Sequence, residues 1–181
     1  MATFRQSDIR IRTATARDAA ALVAAIDEVA REGRYLARST FQQDPAVEAA
    51  HIELAIRHGG TVLVAEVNGH LVGWLTLQRD KTPYRRHVCL LGMGVLRPYR
   101  HRGLGKALLK EALRYAREAQ HIDRVELAVR ATNLAAIGLY QSVGFVYEGR
   151  RIGAICDDTG TYDDEILMAY HTATDEAPTA R

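Results

Sequence analysis

Residues 88–109 read Val88-Cys-Leu-Leu-Gly-Met-Gly-Val95-Leu-Arg-Pro-Tyr-Arg100-His-Arg-Gly103-Leu-Gly105-Lys-Ala-Leu-Leu109. An apolar run ends near Pro98. Arginines follow, then Gly103 and Gly105, and then the pattern of a helix begins. Strand, turn and helix thus share one short stretch. Glycine lets backbone N–H groups come close to a phosphate, and a helix N-terminus offers unsatisfied donors with a positive partial charge. The stretch reads as a cradle for a pyrophosphate. Its apolar part, residues 87–95, is apolar on both faces toward its end, which places it in the middle of a sheet.

Working outward, residues 103–119 form the best helix pattern in the chain. Leu104, Leu108, Leu109, Ala112, Leu113, Tyr115 and Ala116 share one face, with Lys106, Lys110, Arg114 and Arg117 opposite. Upstream, residues 61–67 and 71–77 flank Asn68-Gly69, a strong hairpin signal. Residues 9–14 read as a first strand, and Thr15-Ala-Arg-Asp18 as a capping box before a helix. Residues 45–58 read as a second helix stopped by Gly59-Gly60. Residues 33–44 are irregular and suit a substrate-side loop. Downstream come a strand at 124–130, a short helix at 134–143 closed by Gly144, and an antiparallel pair at 145–156 and 164–170. The order β-α-α-β-β-β-α-β-α-β-β defines a mixed α/β sheet in one domain, residues 1–171. Residues 172–181 are polar and are expected to be a flexible tail.

The 181 residues, 48% hydrophobic and 25% charged, suffice for one sizeable core. Between Arg79 and Lys110, nine Lys or Arg stand against one acid, Asp80, which suits a phosphorylated ligand. Aromatics amount to 7% and do not interleave with these basic residues, which argues against nucleic acid. Two distant cysteines suggest neither disulfide framework nor zinc site, and no metal is expected. The N-terminus has no apolar signal segment and no run reaches membrane-spanning length, so a cytoplasmic protein without membrane contact is expected.

The spacing Arg100-x-x-Gly103-x-Gly105 lacks the Lys-Ser/Thr ending of a P-loop and does not complete G-x-G-x-x-G, because position 108 is leucine. It resembles the acetyl-CoA signature Gln/Arg-x-x-Gly-x-Gly/Ala of the GCN5-related N-acetyltransferase (GNAT) family. A second motif of that family follows: Asn133-Leu-Ala-Ala-Ile-Gly-Leu-Tyr140, then Gly144-Phe145. The resemblance runs over residues 9–170. Residues 85–88, 123–127, 145–149 and 162–168 are most similar to bacterial L-amino-acid N-acetyltransferases, with phrases shared by ribosomal-protein and phosphinothricin-type relatives.

The resemblance implies a mostly antiparallel sheet flanked by helices and an acetyl-CoA-dependent N-acetyltransferase that moves the acetyl group directly to a primary amine. Main-chain groups of Met93 and Val95 would pair with the pantetheine arm. Arg100, His101, Arg102, Gly103, Leu104, Gly105 and Lys106 would cradle the pyrophosphate. Asn133 and Tyr140 would flank the thioester, with Tyr140, an ordinary phenol titrating near ~10, as acid for the leaving thiolate. Ribosomal-protein acetyltransferases carry a glutamate base where this chain has Ala128. Glu126, on the same strand face, and His87, whose imidazole type titrates near ~6.5, are the candidate bases beside solvent itself. Glu28, Glu32, Arg34 and Tyr35 would line the acceptor pocket. Free amino acid, polyamine, antibiotic amine and protein N-terminus all stand as acceptors, and a non-catalytic acyl-CoA sensor is the rival reading. The family also leaves room for a homodimer. Cys89, two residues from His87, is read as a core residue rather than an acyl carrier, and Trp74, Leu75 and Leu77 as core.

Overall fold

The computed structural model describes residues 9–119 and 121–172. Strand β1 (Ile9–Thr13) leads through a 3₁₀ turn to helix α1 (Ala19–Ala30), and an irregular loop joins it to α2 (Pro45–Arg57). Then come β2 (Thr61–Val67), β3 (His70–Arg79), β4 (Val88–Val95), α3 (Leu104–Glu118), β5 (Arg124–Arg130), α4 (Leu134–Gln141), β6 (Val146–Cys156) and β7 (Tyr162–His171). Single 3₁₀ turns also sit at Pro83–Arg85 and Arg97–Tyr99. The order of elements is the one read from the sequence.

Local chemistry sets the boundaries. The Asp18 carboxylate accepts from the Thr15 N–H at 2.7 Å, so the capping box exists, although the turn it opens is 3₁₀ before α1 begins. Asp44 caps α2 by accepting from the Ala46 N–H at 2.8 Å, with Pro45 in the first turn where its missing N–H costs nothing. The hairpin turn has positive φ at Asn68 (52°) and Gly69 (76°), as a two-residue type I′ connection requires. Beyond β7, Thr172 is tied to the carbonyls of Ile122 and Asp123, so the polar C-terminal segment starts anchored. The rest of the expected tail, 173–181, lies outside the described residues.

All seven strands form one sheet in the order β1-β2-β3-β4-β5-β7-β6, and every pairing is antiparallel except β4 with β5. Helices α1 and α2 cover one face around Leu22, Val29, Ile52, Val64 and Trp74. Helix α3 covers the other with Leu104, Leu108, Leu109, Ala112, Leu113 and Ala116, all buried. At roughly 1.5–3 kcal/mol for each fully buried large apolar side chain, that stripe holds α3 firmly on the sheet. Cys89, Trp74, Leu75 and Leu77 are core residues, as the sequence suggested. Among the described residues no helix is long and apolar enough to cross a membrane.

Candidate active site

The sheet comes apart in its middle. The parallel pairing of β4 with β5 holds for Val88↔Arg124, Cys89↔Val125 and Leu90↔Glu126, and then stops. On its other edge β4 stays paired with β3 as far as Gly73↔Val95. The Leu96 N–H donates to Val72 O and the Asp80 N–H to Val88 O, so the even-numbered residues of β4 face β3. Met93 and Val95 therefore turn their N–H and C=O groups toward β5, into a gap where β5 no longer pairs with them. An extended chain can be received there as an added strand would be.

Gly94, between them, is required by packing. A Cβ on it would stand 2.2 Å from Cη2 of Trp74, which is buried. The 3₁₀ turn after β4 leads to His101 at φ 59° and Gly103 at φ 81°, a left-handed pair that swings the chain into α3. Gly103 is the N-cap of α3, and no side chain caps this helix. The first N–H groups of α3, at Leu104, Gly105 and Lys106, are left for a ligand. His101, Arg102 and Lys106 are exposed around this turn.

Helix α4 closes the other side. Its N-cap is Asn133, whose Oδ1 accepts from the Ala136 N–H at 3.2 Å while its amide nitrogen stays available. Leu139 reaches the first turn of α3: a Cβ on Gly105 would lie 3.0 Å from Leu139 Cδ2 and 3.5 Å from Met93 Cε. Tyr140 follows, with its ring buried and 5.7 Å from that of Phe145. Its hydroxyl has no hydrogen-bond partner among the described residues. Burial pushes its pKa up to about 12. Met93, the first turn of α3 at Gly105 and Leu139 of α4 thus meet beside the gap, and Asn133 and Tyr140 lie on that same short helix or at its cap.

Other expected residues sit differently. Arg100 turns inward, away from the phosphate cradle: its Nε donates to Val95 O at 2.8 Å, its Nη1 to Glu32 at 2.8 Å, and its guanidinium lies 4.6 Å over the Tyr35 ring. Glu32 and Tyr35 are therefore occupied by Arg100, while Glu28 and Arg34 are exposed. Glu126 is gripped by Arg124 (2.6 Å) and Arg85 (2.8 Å). Burial raises its pKa, but those two hydrogen bonds outweigh it, and the carboxylate ends below its ordinary value. That makes Glu126 a weaker base than a free glutamate. His87 lies at the opposite end of β4 from Met93, six residues away or about 20 Å of strand, and is exposed. Neither its position nor the pairing of Glu126 suits the proton transfer that the sequence reading offered them. Cys89 is fully buried and its thiol is pushed up to about 11 by burial, which removes it as a nucleophile.

A cavity of about 300 Å³ opens at the C-terminal end of β5. Its walls come from the α1–α2 loop (Arg38, Ser39, Thr40), from Arg130, and from the β6–β7 turn (Cys156, Asp157). The loop was anticipated. The turn and Arg130 were not, because Arg130 read only as the last residue of a strand. None of the four expected acceptor residues lines this cavity, although Gly33, which stands between Glu32 and Arg34, does. Arg130 is buried and paired with buried Asp163 at 2.9 Å.

A central sheet that unzips between two parallel strands, with a glycine-led helix that no side chain caps at the mouth of the gap, is the arrangement that the resemblance to the GNAT family implies. Comparison with known proteins agrees. Residues 19–145 match the model of the Acetyltransferase (GNAT) family. The L-amino acid N-acetyltransferase AaaT of Escherichia coli is 32% identical over 143 residues, 79% of this chain and 86% of that protein. An N-alpha-acetyltransferase of Sulfurisphaera tokodaii is 35% identical over 92 residues, 45% of this chain and 54% of that protein, so the chain spans only about half the length of that relative. The crystal structure of a ribosomal-protein-alanine N-acetyltransferase from Brucella melitensis superposes with TM-score 0.82 at 28% identity, covering 90% of this chain and 99% of that one. yncA of Salmonella typhimurium, solved with its cofactor acetyl-CoA, shares the fold at TM-score 0.85 and 22% identity, over 96% and 99% of the two chains. The chain belongs to the GNAT family and is an acetyl-CoA-dependent N-acetyltransferase.

Proposed function

We propose that the protein acetylates the primary amine of a small acceptor, an amino acid above all, by direct transfer from acetyl-CoA with both substrates bound. The observation that carries this is the edge of β4 past Leu90, where β5 no longer pairs with it and Met93 turns its N–H and C=O outward, while the Val95 carbonyl is taken by Arg100. The E. coli relative's name supports the choice of acceptor. The donor set fits the coenzyme: backbone N–H groups of α3 for the pyrophosphate, and an open strand edge for the amide-rich pantetheine arm.

The chain's own residues have distinct tasks. The Met93 N–H polarises the thioester carbonyl and receives the negative charge that gathers on its oxygen during attack. The Asn133 amide nitrogen and the Tyr140 hydroxyl face the sulfur side. The new C–N bond forms as the C–S bond breaks, and one proton must pass from nitrogen to sulfur. Tyr140 serves the sulfur end of that transfer. Water serves the nitrogen end, because Glu126 is held by two arginines and His87 lies at the far end of β4.

The test is calorimetric titration with acetyl-CoA, followed by an acetylation screen over amino acids, polyamines, aminoglycosides and short peptides read by CoA release. Binding in the micromolar range and turnover of an amine are expected. A protein that binds acetyl-CoA but acetylates no amine would be a sensor, and the proposal would fall.

A further inference from the structure

The buried ion pair at the end of β5 is built with one donor group left over. Arg130 gives its Nε to Asp163 Oδ2 at 2.9 Å and its Nη1 to the Gly33 carbonyl at 2.9 Å. Asp163 cannot complete a two-pronged pair. Its Oδ2 also accepts from Thr132 Oγ1 at 2.6 Å, and its Oδ1 from the Asp164 N–H at 2.8 Å. Nη2 of Arg130 therefore keeps two N–H donors with no partner among the described residues, on a side chain only 10% exposed. No buried side-chain nitrogen or oxygen among the described residues lacks a partner, so Nη2 is open to solvent, and a guanidinium matches a carboxylate better than any other common group.

The surroundings say what would take them. Arg130 lines the 300 Å³ cavity together with the exposed hydroxyls of Ser39 and Thr40 and the guanidinium of Arg38. Asp157 and Asp158 face the same space from the β6–β7 turn. Asp157 spends its Oδ1 on Thr159 N, Thr159 Oγ1 and Thr161 N, and its carboxylate also lies within the electrostatic reach of Arg130, so an incoming carboxylate shares that guanidinium's field with it. The volume is at the small end for ligand cavities. The place is next to the chemistry: the Asn133 N–H donates to the Arg130 carbonyl at 2.9 Å, so the arginine stands one turn before α4, which carries Tyr140.

We propose that Arg130 is a specificity-determining residue whose free Nη2 receives the carboxylate of the acetyl acceptor, which makes the substrate a free amino acid rather than a carboxylate-free amine. This rests on the acetyltransferase reading above and narrows it. The Asp163 pair and the Gly33 carbonyl act as a mount that holds the guanidinium rigid, with Ser39 and Thr40 as further donors to the same group.

The experiment compares each L-amino acid with its carboxamide and with its decarboxylated amine on the wild-type protein. The quantity is kcat/KM for the acceptor, extrapolated to the fully deprotonated amine so that differences in amine pKa drop out. One lost charge-assisted hydrogen bond corresponds to about a 10- to 100-fold loss. The best amino acid should lead its two analogues by that margin, through the acceptor KM and with the acetyl-CoA KM unchanged. In Arg130→Gln the preference should collapse toward unity, and Arg130→Lys should restore part of it. If either variant fails to fold, the wild-type comparison still decides. Carboxamides or plain amines used within threefold of the acids would overturn the assignment while leaving an acetyltransferase. A protein that binds no acetyl-CoA would sink the underlying reading, and this inference with it.

Discussion

Replacing Tyr140 by phenylalanine should separate catalysis from stability, and the structure gives both magnitudes. The ring is buried against Phe145, and the hydroxyl has no protein partner among the described residues. Removing the oxygen breaks no hydrogen bond among the described residues, and since no buried side-chain oxygen there lacks a partner, the oxygen lost is one that solvent reaches. Stability should be unchanged or up to about 1 kcal/mol higher, a rise of roughly 2–4 °C in Tm at most for a chain this size. Activity should fall. General acid assistance is worth about 10²–10⁴ in rate. With the Tyr140 pKa near 12 and a thiol at about 8.5, complete handover of the proton to the thiolate runs uphill by about 3.5 units, or roughly 5 kcal/mol. Tyr140 therefore acts by hydrogen bonding to the sulfur with partial transfer, which points to the low end, about 100-fold in kcat.

The assay is steady-state CoA release at saturating acceptor, with calorimetric acetyl-CoA affinity and thermal unfolding of both proteins alongside. A pH profile adds a check of sign. A phenol titrating near 12 stays protonated through pH 6–10, so the wild-type profile should rise with deprotonation of the acceptor amine and show no tyrosine limb. Equal kcat in wild type and Tyr140→Phe, with a solvent isotope effect showing that chemistry limits, would refute the role. So would a loss of kcat matched by an equal loss of acetyl-CoA affinity, because Tyr140 would then only shape the groove.

Gly94→Ala places a methyl group 2.2 Å from buried Trp74; overpacking of this kind costs about 1–3 kcal/mol. Urea unfolding should show that loss, and the acetyl-CoA KM should rise because β4 must bend at the coenzyme edge; an unchanged KM would dissociate Gly94 from the groove. Of the two thiols, Cys156 is exposed and lines the cavity proposed for the acceptor, and Cys89 is buried with its pKa pushed up to about 11. One equivalent of aromatic disulfide reagent should react in the native state and block acceptor binding while acetyl-CoA affinity persists, and mass spectrometry would assign the site. Asp18 is held near pKa 2 against 3.8 by hydrogen bonds from Arg12. The stability it contributes is present above about pH 4 and lost as pH falls through 2, so Asp18→Asn should weaken the protein at pH 7 and match wild type below pH 2.

The coenzyme side was legible in the sequence because it is made of backbone. A glycine where φ must be positive, an apolar strand that must be central, and an amphipathic helix all leave local marks, and Gly103, residues 88–95 and α3 carry them within one continuous stretch, residues 88–118. The acceptor side is made of side chains brought together from distant parts of the chain. Arg130 meets Gly33, 97 residues earlier, and Asp163, 33 residues later, and neither separation leaves a periodic trace. The basic stretch is legible only as a total. Its charge is real, but Arg85 is spent on Asp80 and Glu126, Arg100 on Glu32, and Arg79 on the carbonyls of Arg86 and His121. Composition counts charges without showing which are already paired.

Arg100 shows how the two sides are joined. The signature position was expected to touch phosphate, yet its guanidinium ties three elements together: the carbonyl of Val95 at the end of β4, Glu32 just after α1, and the face of Tyr35 in the α1–α2 loop. The same loop supplies Ser39 and Thr40 to the acceptor cavity and Gly33 to Arg130. On the proposed reading, the strand edge assigned to the coenzyme and the loop assigned to the acceptor are fixed to each other by one rigid, always-charged side chain. For direct transfer, where an amine must meet a thioester carbonyl at about 3–3.5 Å, the relative placement of two sites matters more than the strength of either. A guanidinium stacked on a ring and bonded at all three nitrogens suits that purpose better than a flexible phosphate contact. The phosphate can be left to the N–H groups of α3, whose positions the backbone already sets.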